Sequence, residues 1–166
     1  MLPDVQIVVD SAHGLEGSPS ALAFAQTFRT DLISVAGYPW IPPVAVLPAA
    51  IGTLGLPVIH VIVDPALEYA LYNGQPTLEG YDFEVKPYTY TIKAAAPIGA
   101  WWGMVTLLQQ VASSATSGAS NIGIPVGTGT DSPGWEVRGF MLDAGRHWFD
   151  ISFLCEYFLV YIQCTC

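Results

Sequence analysis

Charge is scarce in this chain. Only 11% of its 166 residues are charged, against about 25% in a typical soluble domain. Few side chains are left to cover a surface, which leaves self-association through apolar surface open. Cations are scarcer still: Lys86, Lys93, Arg29, Arg138 and Arg146 are all there are, within a formal net charge of −9. No basic patch can form from them, and phosphate-binding surfaces show one, so the composition argues against nucleic acid as a partner. Cysteine is confined to positions 155, 164 and 166. An odd number in one tail defines no disulfide framework, and Cys-Thr-Cys has none of the common zinc spacings. His-Glu-x-x-His and Gly-x-Ser-x-Gly are both missing, which removes a zinc-protease helix and a hydrolase nucleophile elbow. His13, His60 and His147 are scattered, so no metal or cofactor is expected. No Asn-x-Ser/Thr acceptor for glycans occurs. Met1 to Asp4 shows neither the basic region nor the apolar core of a signal peptide, and no compartment is assigned.

What the chain does have is apolar: 52% of its residues are hydrophobic, ample for one core. From Leu32 to Val63 no side chain is charged, and a bilayer span needs about 20 apolar residues. Five prolines interrupt this stretch, at positions 39, 42, 43, 48 and 57. Each removes a backbone donor, so an apolar loop entering a buried strand is expected rather than a membrane helix.

The β-branched runs Val5–Asp10 and Val58–Val63 read as strands. Ser18-Pro19 reads as a helix start, with Phe24, Phe28, Leu32 and Val35 as its stripe and Gly37 as its end. Between Gly80 and Ala94, Tyr81, Phe83 and Val85 alternate with polar residues, and Tyr88, Tyr90 and Ile92 do so again after Lys86-Pro87. That period of two predicts a hairpin with one buried face. Pro97 opens a second helix, with Trp101, Met104, Leu108 and Val111 facing inward. Gly99 and Gly103 lie one turn apart and let a neighbouring backbone approach. Ser113 to Asn121 reads as a linker, Pro125 to Trp135 as an extended connector, and Val137 to Leu142 as a last strand. Gly127-Thr-Gly-Thr-Asp-Ser132 begins like a dinucleotide loop but lacks the third glycine and the helix. The order implies an α+β sandwich.

Arg138-Gly-Phe-Met-Leu-Asp-Ala-Gly-Arg-His-Trp-Phe149 resembles the first barrel strand and turn of the glycoside hydrolase family 20 enzymes, the β-N-acetylhexosaminidases. Residues 79 to 110 resemble the end of that family's N-terminal domain, and Gly129 to Trp135 its hand-over to the barrel. The detail looks most similar to fungal members. The resemblance implies a zincin-like β-sheet layer with two helices, followed by the first strand of an incomplete (β/α)8 barrel. It implies four parts: an N-terminal α+β domain at 1–112, a connector at 113–136, the barrel start at 137–154 and an aberrant apolar tail at 155–166.

The family removes terminal N-acetyl-hexosamine residues from β-glycosides by substrate-assisted catalysis, with the sugar's acetamido oxygen as nucleophile. Its members are often secreted, vacuolar or lysosomal. Its acid pair is an adjacent Asp-Glu, and this chain contains no Asp-Glu dipeptide. No catalytic residue carries over, and the chain is expected to be inactive by itself. Arg138 does carry over. The resemblance implies that it hydrogen-bonds hydroxyls of the bound sugar, and a planar fork of donors suits two adjacent hydroxyls. The plainer alternative is an ion pair with an acid such as Asp143. Asp143, Arg146 and His147 are expected to fix the turn, and Trp101, Trp102 and Trp135 to pack between layers. From a different class, the chain can also be read as a docking module for a barrel or another protein.

Overall fold

A computed structural model describes residues 5–37, 41–48, 57–116, 123–139, 141–143, 145 and 148–155. Strand β1 (Gln6–Asp10) is buried along its whole length after Gln6. It has a parallel strand on each edge, the position in which near-continuous β-branched runs are usual. Helix α1 (Ala21–Ala36) follows. Its cap is Ser20, not the expected Ser18: the Ser20 hydroxyl accepts from the Ala23 amide at 3.3 Å. The helix therefore starts two residues later than expected. Ala21, Ala25, Phe28 and Leu32 are buried, whereas Val35 is exposed. Gly37 ends the helix in the left-handed region at φ 66°, as expected.

The charge-free stretch contains the short strand β2 (Ala45–Leu47) and the strand β3 (Val58–Val63). Arg29 of α1 donates through Nε to the carbonyls of Ile41 and Pro42, at 2.8 and 3.0 Å. Residues 38–40 and 49–56 lie outside the described residues. Among the described residues no helix is long and apolar enough to cross a membrane.

Two-residue strands β4 (Tyr69–Ala70) and β5 (Pro76–Thr77) form a small hairpin of their own. The expected long hairpin is β6 (Tyr81–Lys86) and β7 (Thr89–Ala94), in antiparallel register. Tyr88 was expected to continue the alternation. It sits in the turn instead, with φ 69° and its side chain exposed. Proline followed by a positive φ is the pattern of a tight type II turn.

Helix α2 (Pro97–Thr116) runs through Ser113 to Thr116, where a linker was expected. Residues 117–122 lie outside the described residues. The connector carries a further strand, β8 (Gly127–Asp131), paired antiparallel with β6. Three of its five residues are glycine or aspartate, which are poor strand formers, and this hides it from a reading by propensity. The Phe83 ring lies where a Cβ of Gly129 would stand, 2.5 Å away, so glycine at that position lets the ring cover the strand.

The sheet order is β2-β1-β3-β7-β6-β8, with β2, β1, β3 and β7 parallel. The two helices pack on each other and on one face of the sheet. Ile7, Val9, Phe28, Val61, Ile92, Met104 and Leu107 fill the space between. Each such side chain contributes about 1.5–3 kcal/mol by leaving water. The opposite face carries Asp82, Glu84, Thr91 and Lys93 in cross-strand register.

The expected strand at 137–142 does not form: residues 137–139, 141 and 142 belong to no ladder. Val137 and Met141 are 85% and 86% exposed. A strand needs a neighbour, and no described segment of this chain pairs with this one.

Candidate functional site

The residues that meet around Arg138 begin at Glu79-Gly80-Tyr81-Asp82, where the chain enters β6. Gly80 permits two close approaches. A Cβ there would stand 2.2 Å from the Tyr69 ring, and the Gly80 carbonyl lies 2.3 Å from where a Gly99 Cβ would be. The backbone just before β6 and the first turn of α2 thus touch at Gly99, as expected, whereas Gly103 meets the side chains of Ile92 and Tyr81. That contact brings Trp102, three residues after Gly99, over Glu79. The Trp102 indole Nε1 donates to Glu79 Oε2 at 2.9 Å.

Arg138 reaches the same carboxylate. Its Nη2 donates to Glu79 Oε2 in an ion pair whose side chains are 24% and 26% exposed. Its Nη1 donates to the Trp135 carbonyl at 2.7 Å. The ion-pair alternative therefore holds in kind but not in partner. Asp143 instead accepts from the Gly145 amide at 2.9 Å, closing its own turn. Arg146 and His147 lie outside the described residues.

Tyr81 and Asp131 complete the cluster. The Tyr81 hydroxyl donates to Asp131 at 3.0 Å and shares a 2.6 Å bond with Thr106. These contacts join β6, β8 and α2. The cleft enclosed by Glu79, Tyr81, Trp102, Asp131 and Arg138 measures about 10 Å³, the room one water needs. No sugar ring fits it as it stands.

Nearby, burial raises the Tyr69 hydroxyl's pKa well above its ordinary value, and the Asp82 carboxylate beside it adds to this. Tyr69 donates to Asp82 at 3.2 Å. A larger cavity of about 180 Å³ lies at the far end of β6, between Val5, Leu32, Val58, Tyr90 and Leu107. Its lining is mostly apolar, with Lys86, Tyr88, Thr89 and Tyr90 as the polar members. Among the described residues no cluster of ligating side chains could hold a metal ion.

Glu79 and Trp102 were not legible as site residues. Glu79 enters the sequence reading only as the first residue of the 79–110 block, and Trp102 as packing. Nothing in spacing ties position 79 to position 138; only the fold does. Of the tryptophans expected to pack, Trp101 stacks on Phe24 at 5.2 Å, while Trp135 is exposed and lies beside Tyr72.

No family model and no curated protein sequence matches the chain. Solved structures do. The chain is similar to a chitobiase of Flavobacterium johnsoniae, with 21% identity and a TM-score of 0.58 over 96% of this chain and 22% of that one. It is also similar to the family 20 β-N-acetylhexosaminidase of Streptomyces coelicolor A3(2), with 20% identity and a TM-score of 0.65 over 98% of this chain and 29% of that one. The likeness establishes a shared fold. The chain spans less than a third of either neighbour.

Proposed function

We propose that this chain is a piece of a glycoside hydrolase family 20 β-N-acetylhexosaminidase. The piece comprises the zincin-like N-terminal layer at 1–112, a connector at 113–136 and the start of the catalytic barrel at 137–154. One observation carries the reading: the fold likeness to two hexosaminidases extends over nearly the whole chain. The ordered blocks at 79–110, 129–135 and 138–149 support it independently, and the fungal character rests on those blocks alone. In the assembled enzyme, terminal N-acetyl-hexosamine residues would be cleaved with the acetamido group as nucleophile. Arg138 would hold the sugar's hydroxyls. Without an Asp-Glu pair, this chain has no acid to protonate the leaving oxygen, a contribution typically worth about 10²–10⁴-fold.

The test is an assay of the purified chain on an aryl N-acetylglucosaminide. No turnover above the uncatalysed rate is expected, and clear turnover that survives repurification would refute the inactivity.

A second reading, a non-catalytic docking module, draws on the exposed Trp135, Val137, Met141, Trp148 and Ile151. A tight equimolar complex with a complete family 20 enzyme would favour it. Failure to bind would leave the fragment reading alone.

A further inference from the structure

A half-buried guanidinium needs a counter-charge, because an unpaired charge taken out of water is costly. A neutral sugar cannot supply one. In this chain the counter-charge comes from Glu79, which belongs to the sheet layer and lies far from the Arg138 motif in sequence. Glu79 is itself held, since Trp102 donates to the oxygen that also receives Arg138 Nη2. The Trp135 carbonyl fixes the second arm of the fork. Arg138 has five N–H donors in a rigid plane. Two of them go to these partners, which sets the plane and leaves the rest of the fork for a ligand.

We propose that Glu79 is the positioning residue of Arg138, fixing the fork's orientation and reserving it for uncharged, hydroxyl-bearing ligands over anionic ones. This rests on the reading that Arg138 meets sugar. It adds that the sheet layer sets the geometry of a barrel residue. It also adds a selectivity: uronic acids or sugar phosphates would place a second anion against the Glu79 carboxylate and be repelled.

The full chain holds only three arginines, Arg29, Arg138 and Arg146, so its guanidinium NMR spectrum is simple and R138K assigns the signal. In the wild-type chain the Arg138 Nη resonances should be separate, showing slow rotation, and inorganic phosphate should leave them unmoved. In E79A they should merge, and phosphate should shift them with at least tenfold tighter apparent affinity. E79Q keeps the hydrogen-bond acceptor without the charge. It should retain separate resonances yet gain phosphate binding, and it serves also if E79A fails to fold.

Merged resonances in the wild-type chain would overturn the positioning role. Equal phosphate affinity in wild type and E79Q would overturn the selectivity. Titration with N-acetylglucosamine separates the two levels. If the sugar leaves Arg138 unmoved in a wild-type chain with a fixed fork, sugar binding by this chain alone falls and the positioning role stands. If the sugar binds E79A as well as wild type, the positioning role falls and the sugar reading stands.

Discussion

Gly99 is a residue at which even the smallest addition should do harm. A methyl group there would lie 2.3 Å from a backbone oxygen, that of Gly80, and 3.1 Å from the Ala94 side chain. Backbone cannot rotate away as a side chain does. Overpacking usually costs about 1–3 kcal/mol, and Gly99→Ala is expected near the top of that range. Urea unfolding checks it, with Gly123→Ala as control because that glycine faces open space; equal midpoints for the two variants would refute the contact. His60 gives a second prediction at this scale. Burial lowers its pKa below the ordinary value of 6.5. Below pH 6.5 the unfolded chain therefore takes up a proton before the folded chain does. Stability should fall as pH drops through that window and be insensitive to this group above it. His60→Gln should flatten that part of the pH–stability curve. An unchanged slope would mean that the group titrates alike in both states.

Among the elements, what periodicity could reveal was legible, and what depended on a distant partner was not. The β6–β7 hairpin announces itself by strict alternation, and α1 by its Gly37 stop. Strand β8 is made of glycine, threonine and aspartate, and exists because β6 offers an edge and Phe83 covers Gly129. The reverse error, a strand expected at 137–142, has the same cause. Its side chains suit a strand, but backbone donors without a partner make none. The α1 cap shows how fine the local chemistry is. Ser18 and Ser20 are both plausible caps by residue type, and only Ser20 reaches the Ala23 amide. Ser20→Ala should cost about 1 kcal/mol, while Ser18→Ala should cost less than half of that. Thermal unfolding of the pair decides; the opposite order would return the cap to Ser18. The Arg138 site was half legible: the arginine through its motif, its carboxylate only through the fold.

At the scale of the whole molecule, apolar exposure and charge oppose one another. Trp135, Val137, Met141, Trp148, Ile151 and Phe153 are all exposed and fall within one short stretch. Single exposed apolar residues are ordinary, whereas a concentration of them marks a contact surface. Against this stands a net charge of −9, which keeps copies apart at low ionic strength. Salt screens such repulsion, with a Debye length of about 30 Å at 0.01 M and about 8 Å at 0.15 M. The hydrophobic attraction survives the screening. Self-association should therefore strengthen as salt rises, and again as pH falls toward the isoelectric point near 4.4. Sedimentation velocity across both variables tests this. Met141→Glu and Ile151→Glu should each hold the chain monomeric at higher salt. Both side chains are at least 76% exposed, so the substitutions should change folding stability by no more than about 0.5 kcal/mol. A chain that stays monomeric at every salt and pH would remove the contact surface. Association that the two glutamates leave untouched would move it to another part of the fold.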